Sequence, residues 1–163
     1  MSRAVQTAID SLNFFVESRN AGNIINAVTT ATGGANSGDL INTAQRGGMF
    51  FITVASISVN TATLLLSINA KDVASGTYFP YAQIQLGSLV PGASLQYSAL
   101  FYVGATSTPG ATGGGIVGTM SGNVANFGLP LPGTFQVVSS LAVTTTASQT
   151  GTLSYSVDYA KVM

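Results

Sequence analysis

Histidine, cysteine and tryptophan are absent from this 163-residue chain, and charge nearly so. Arg3, Arg19, Arg46, Lys71, Lys161, Asp10, Glu17, Asp39, Asp72 and Asp158 are its only ions, 6% of the residues, and they sum to zero. An ordinary soluble domain is about one quarter charged. Each absence removes a class of chemistry. Without Cys there is no disulfide and no thiolate metal site. Without His, the Ser-His-Asp and Cys-His arrangements and imidazole-bound metals are excluded. The five basic residues are scattered, whereas phosphate recognition needs clustered Lys and Arg, so nucleic acid is not an expected partner. No run approaches the ~18 apolar residues that span a bilayer. The first seven residues have no apolar signal region, so a membrane is not expected either and the chain is expected to be made in the cytoplasm.

Carboxylate chemistry is thin as well. Glycosidases need two carboxyl groups a few ångströms apart, and Asp10, Glu17, Asp39, Asp72 and Asp158 are far apart in sequence. Calcium loops need closely spaced oxygen ligands, and no D-x-D-x-D run exists. Gly113-Gly114-Gly115-Ile116-Val117-Gly118 matches G-x-G-x-x-G, but the nucleotide-binding form of that motif requires a strand before it and a helix and an acidic residue after it. Here a Thr/Pro/Gly stretch precedes it, no helical pattern follows, and Val138 stands near the acid's expected place. These observations predict no enzyme, no cofactor and no metal.

What is present is strand pattern. The apolar content is 46%, enough to build a core in one domain. Met49–Ser58 is rich in Phe, Ile, Val and Thr, and Leu64, Leu66, Ile68 and Ala70 alternate with their neighbours after an Asn60-Thr61 turn signal. Tyr78, Ala82, Ile84 and Leu86 define the next strand. Leu95, Tyr97, Ala99, Phe101 and Val103 alternate clearly after Pro91-Gly92. Phe135, Val137, Ser139, Leu141 and Val143 follow, and Leu153, Tyr155, Val157 and Tyr159 close the series. Period-two alternation over many short strands predicts an all-β antiparallel sandwich, of jelly-roll or Ig-like type, with one face of each sheet buried.

Two segments stand outside this pattern. Residues 1–46 carry six of the ten charges and read as an N-terminal arm. Ala4, Val5, Ala8, Ile9, Leu12, Phe15 and Val16 fall on one face of a short helix there, and a strand is expected near Ile24–Thr30. The sandwich domain is expected over 47–163, with a long Gly-rich loop at 104–133 that holds a short edge strand at Ile116–Met120. Loops of that length are uncommon unless functional. The apolar residues of these segments, Phe14, Phe15 and Val16 in the arm and Ile116, Val117, Met120 and Phe127 in the loop, are the candidate interface residues. The six tyrosines leave a sugar-stacking platform open beside their ordinary use as core or interface anchors.

Gln45-Arg46-Gly47-Gly48 opening an apolar strand, the turn Lys71-Asp72-Val73-Ala74-Ser75-Gly76-Thr77-Tyr78, the stretch Leu129-Pro130-Leu131-Pro132-Gly133-Thr134-Phe135-Gln136-Val137 and the closing Tyr155-Ser156-Val157 together resemble small β-sandwich virion proteins of tailed bacteriophages. In those proteins the aromatic after the Pro element is often Trp, where this chain has Phe135. The resemblance implies a non-enzymatic role in the virion: a capsid-decorating, head-associated subunit whose partners are copies of itself and other virion proteins such as a major capsid protein. A surface nearly free of ions fits that expectation, since few charges need desolvation on docking. The alternatives are a receptor- or glycan-binding module, and a major capsid or tail-tube subunit.

Overall fold

A computed structural model describes residues 22–30, 33–42, 47–57, 62–89, 95–103, 117–120, 124–143 and 152–162. Eleven strands and no helix form among them: β1 Gly22–Thr30, β2 Gly34–Asn36, β3 Leu40–Ile41, β4 Gly47–Ile57, β5 Ala62–Lys71, β6 Tyr78–Leu89, β7 Leu95–Tyr102, β8 Val117–Met120, β9 Val124–Phe127, β10 Thr134–Val143 and β11 Thr152–Val162. The six strands read from alternation are all present. Their β-branched and aromatic residues suit a pleated, half-buried surface.

Two sheets pack together. One has the order β1-β11-β4-β7-β9 and the other β2-β10-β5-β6-β8, with β3 also paired to β10. The pairings nest from the outside in: β1 with β11, β2 with β10, β4 with β7, and β5 with β6, every one antiparallel. A single long hairpin with its tip at β5–β6, rolled so that successive rungs alternate between sheets, gives this order. That is the jelly roll, the first of the two sandwich types expected.

Two expectations about the unusual segments change. The sandwich begins well before residue 47, because residues 22–41 supply β1, β2 and β3 to the sheets. Among the β1 residues whose burial is described, Ile25 alone is buried, with Ile24 and Ala27 packed against the core, while Asn23, Asn26 and Val28 face solvent. One buried residue among the seven described leaves almost no periodic signal, so this stretch reads as an arm. The expected helix over Ala4–Val16 lies outside the described residues. The stretch 104–133 is likewise more than a loop, for it carries β8 and β9. These two pair in parallel, β8 with β6 and β9 with β7, so the sandwich is not wholly antiparallel. Parallel neighbours need a crossover; β7 lies between β6 and β8 in sequence, and β8 lies between β7 and β9. β1 and β2 form one side of the sandwich, β9 and β8 the other, each pair divided between the two sheets.

The core lies between the sheets. Ile52, Val54, Leu153, Tyr155 and Val157 from the first meet Leu64, Leu66, Ile68, Ile84, Leu86, Val137 and Leu141 from the second. One end is aromatic. Phe50 lies edge-on to Phe101 and Phe135, with centroids 5.7 and 6.4 Å apart, and tilts against Tyr159 at 5.2 Å. Such pairs add about 0.5–1.5 kcal/mol each beyond their buried area. The Gly47-Gly48 element makes this end possible. A Cβ at Gly47 would stand 1.9 Å from the Phe101 carbonyl oxygen, and one at Gly48 2.4 Å from the Tyr159 ring.

Candidate functional site

Strand register assigns each outward side chain to a row, and the rows separate two unlike exteriors. On the sheet containing β11, β4 and β7, the row Asn26, Ser156, Thr53, Gln96 is polar. The next row is Asp158, Phe51, Ser98. Below it come Ala160, Met49, Leu100 and then Val162, Gly47, Tyr102. Ala160 and Val162 are 1% and 8% exposed, although they point away from the Tyr159 face; Met49, Phe51, Leu100 and Tyr102 are half-buried. The lower half of this outer face is therefore apolar.

The outer face of the other sheet runs Gln136, Asn69, Pro80, then Val138, Ser67, Gln83, then Ser140, Leu65, Gln85. It is polar and uncharged. A groove of about 340 Å³ crosses it, lined by Ser67, Asn69, Pro80, Ala82, Gln83 and Val138, with the Gln83 amide donating to Ser67 Oγ at 3.0 Å. No charged group lines it; its polar side chains are amides and a hydroxyl, beside the apolar Pro80, Ala82 and Val138.

The described ions gather mainly at the β5–β6 end. Lys71 pairs with Asp39, Tyr78 donates its hydroxyl proton to Asp39, and the Lys71 ammonium lies 5.3 Å from the Tyr78 ring centre. The hydrogen bonds from Lys71 and Tyr78 hold the Asp39 carboxyl below its ordinary pKa, and Asp39 in turn raises that of Lys71. Asp72 shapes the adjoining turn, accepting from the Ala74 N–H at 3.0 Å and the Ser75 hydroxyl at 2.6 Å. Those bonds lower its pKa, the Ser75 bond most. Asp158 accepts from the Asn23 amide at 2.9 Å. Each of these carboxylates is engaged by neighbours in a structural contact, and no cluster of three metal-ligating carboxylates occurs among the described residues.

Three buried hydroxyls tie the core together. Tyr155 and Ser139 share a hydrogen bond of 2.5 Å across the two sheets, and Ser139 Oγ also accepts from the Ala35 N–H at 2.8 Å. Tyr159 donates to Asn42 Oδ1 at 2.7 Å. Burial pushes both tyrosine pKa values up, Tyr159 furthest. Five of the six tyrosines are placed apart from one another: Tyr155 and Tyr159 are in the core, Tyr97 packs against it, Tyr81 donates to the Pro130 carbonyl at 2.5 Å, and Tyr78 is taken up by Asp39, while Tyr102 stands in the outer row of Gly47 and Val162.

Among the candidate interface residues, Phe14, Phe15, Val16 and Ile116 lie outside the described residues. Val117 and Met120 bound β8, the edge strand beside β6. Phe127 is 1% exposed and stacks on Phe101 at 4.2 Å with ring planes 4° apart. It is therefore a core residue of the protomer and not an interface residue, because the parallel pairing of β9 with β7 turns it inward. Sequence reasoning missed the apolar half-face. Its signal was lost alternation, visible in Met49-Phe50-Phe51-Ile52, Ala99-Leu100-Phe101-Tyr102 and Tyr159-Ala160, where apolar residues occupy both faces of a strand. Comparison with known proteins finds no significant match for the chain, whether among family models, characterised sequences or solved structures.

Proposed function

We propose that the protein is a non-enzymatic structural subunit of a virus particle, one that decorates and stabilises a capsid through contacts with copies of itself and with the shell beneath. The observation that carries this reading is the neutrality of the exterior. The three central rows of the groove-bearing face hold no ion, and Asp158 is the one ion in the four rows of the other. Charge keeps proteins apart in solution, and a surface without it is suited to being covered. Desolvating Asn, Gln, Ser and Thr on docking costs less than desolvating ions. Repetition by symmetry makes modest contacts collectively strong. The jelly roll adds an analogy, since it recurs in capsid proteins, although also in lectins and enzymes.

The test is association. Light scattering over rising concentration should show the purified chain leaving the monomer, and electron microscopy should show it binding to phage capsid shells. Ser67→Lys with Val138→Lys, placed on the groove-bearing face, should weaken association at least tenfold while the circular dichroism spectrum is unchanged. A chain that stays monomeric at millimolar concentration and binds no shell would overturn the proposal. Closed particles formed by the chain alone would replace decoration with shell building.

A further inference from the structure

The apolar half-face on the β11-β4-β7 sheet has a specific occupant within reach. We propose that the chain's own N-terminal segment, residues 4–16, docks on it in cis, with Ala4, Val5, Ala8, Ile9, Leu12, Phe15 and Val16 laid against Met49, Phe51, Leu100 and Tyr102. This does not depend on the virion role.

Three observations converge. The first is where the segment leaves the sandwich. Gly22 pairs with Tyr159 in the first register position of β1, immediately beside Ala160 and Val162, so residues 1–21 depart from the apolar end of that face and not the polar end. The second is reach. Residues 17–21, Glu-Ser-Arg-Asn-Ala, span about 17 Å when extended. From β1 to β7 is three strand spacings, about 14 Å. The linker is therefore long enough to bring Val16 over the half-face, and 13 residues at helical rise would extend about 20 Å further. The third is complementarity. The segment's apolar stripe follows helical spacing, and on the half-face apolar side chains of three neighbouring strands adjoin, ended by Asp158 and Ser98 on its polar side.

Docking in cis is favoured over exchange with a neighbour because a short tether gives an effective concentration in the millimolar range. The linker's own composition agrees: Glu17, Ser18, Arg19 and Asn20 are polar and suit an exposed crossing from the edge strand to the face.

The chain has no native cysteine, so engineered pairs report contact cleanly. In the full-length protein, Leu12→Cys with Leu100→Cys is expected to form an intrachain disulfide under mild oxidation, seen as a faster-migrating monomer on a non-reducing gel. Leu12→Cys with Ser67→Cys, which places the second thiol on the opposite exterior, is expected to give at least tenfold less. As an independent readout, full-length Leu12→Glu with Phe15→Glu should keep its strand circular dichroism and bind several-fold more of a fluorescent apolar-surface dye. Equal crosslinking by the two cysteine pairs, or disulfide-linked dimers in place of the intrachain product, would overturn the proposal. So would unchanged dye binding in the Glu variant. None of these readouts changes with capsid binding, so failure here and failure of the virion role are distinguishable.

Discussion

The two sheets share one interior and turn unlike exteriors to the surroundings. On the groove-bearing sheet the outward rows stay mainly polar, with Gln136, Asn69, Ser67, Gln83, Ser140 and Gln85 outnumbering Pro80, Val138 and Leu65. On the other sheet the outward rows change from Asn, Ser, Thr and Gln to Met, Leu, Tyr, Ala and Val within one strand length. The same alternation rule generates both faces, so the difference is in what each face is meant to meet. A mainly polar, neutral face suits a wet contact with another protein. A face divided into a polar and an apolar half needs a cover for one half.

Four measurements break or sharpen that contrast, and the largest effect comes from the interior that both sheets share. Phe135→Ala removes a fully buried ring from the aromatic end and should cost about 3–5 kcal/mol in denaturant unfolding. If either exterior rivalled this value, the division into one core and two outer faces would fail.

The buried hydroxyls come next. Tyr159→Phe leaves Asn42 Oδ1 without that donor in a buried site and should cost about 1–3 kcal/mol. The same groups set an alkaline limit. Tyr155 and Tyr159 have folded pKa values raised by burial, so their contribution is complete below the ordinary tyrosine range near pH 10 and is lost as pH rises through the raised folded values. Tyrosinate absorbance and circular dichroism should then change together on alkaline titration. Tyrosinate appearing at all six positions before any loss of strand signal would show the hydroxyls are not buried.

The smallest effect separates the exteriors directly. Leu100→Ser lies among Met49, Phe51 and Tyr102, whereas Leu65→Ser lies between Ser140 and Gln85. The first should destabilise by about 1–2 kcal/mol, from apolar area returned to water. The second should stay within about 0.5 kcal/mol, as surface changes usually do. Equal losses would mean that the two faces are energetically alike.

These residues also mark how far the sequence can be read. Phe135, Leu153, Tyr155 and Val157 announce themselves, because each alternates with polar neighbours and each is buried. Leu100 and Met49 do not, because a strand apolar on both faces carries no record of which face meets the core. A truncation at residue 40, reasonable for a free arm, would remove β1 and β2 with Ile25; one that spares the sandwich must stop before Gly22. The candidate surfaces were less legible than the strands, since a surface is assembled from rows that run across β10, β5 and β6 or across β11, β4 and β7, and neighbours in those rows are distant in sequence.

By itself the sequence determined the all-β class, the six long strands, the inward residues of most of them and the nearly ion-free exterior, because periodicity and composition are local quantities. Only the tertiary structure decided the jelly-roll order, the parallel edges made by β8 and β9, the inward turn of Phe127 and the apolar half-face. Each of those depends on which strand lies beside which, and backbone hydrogen bonds between strands are the same for every sequence, so pairing is chosen by burying the whole set of inward faces at once.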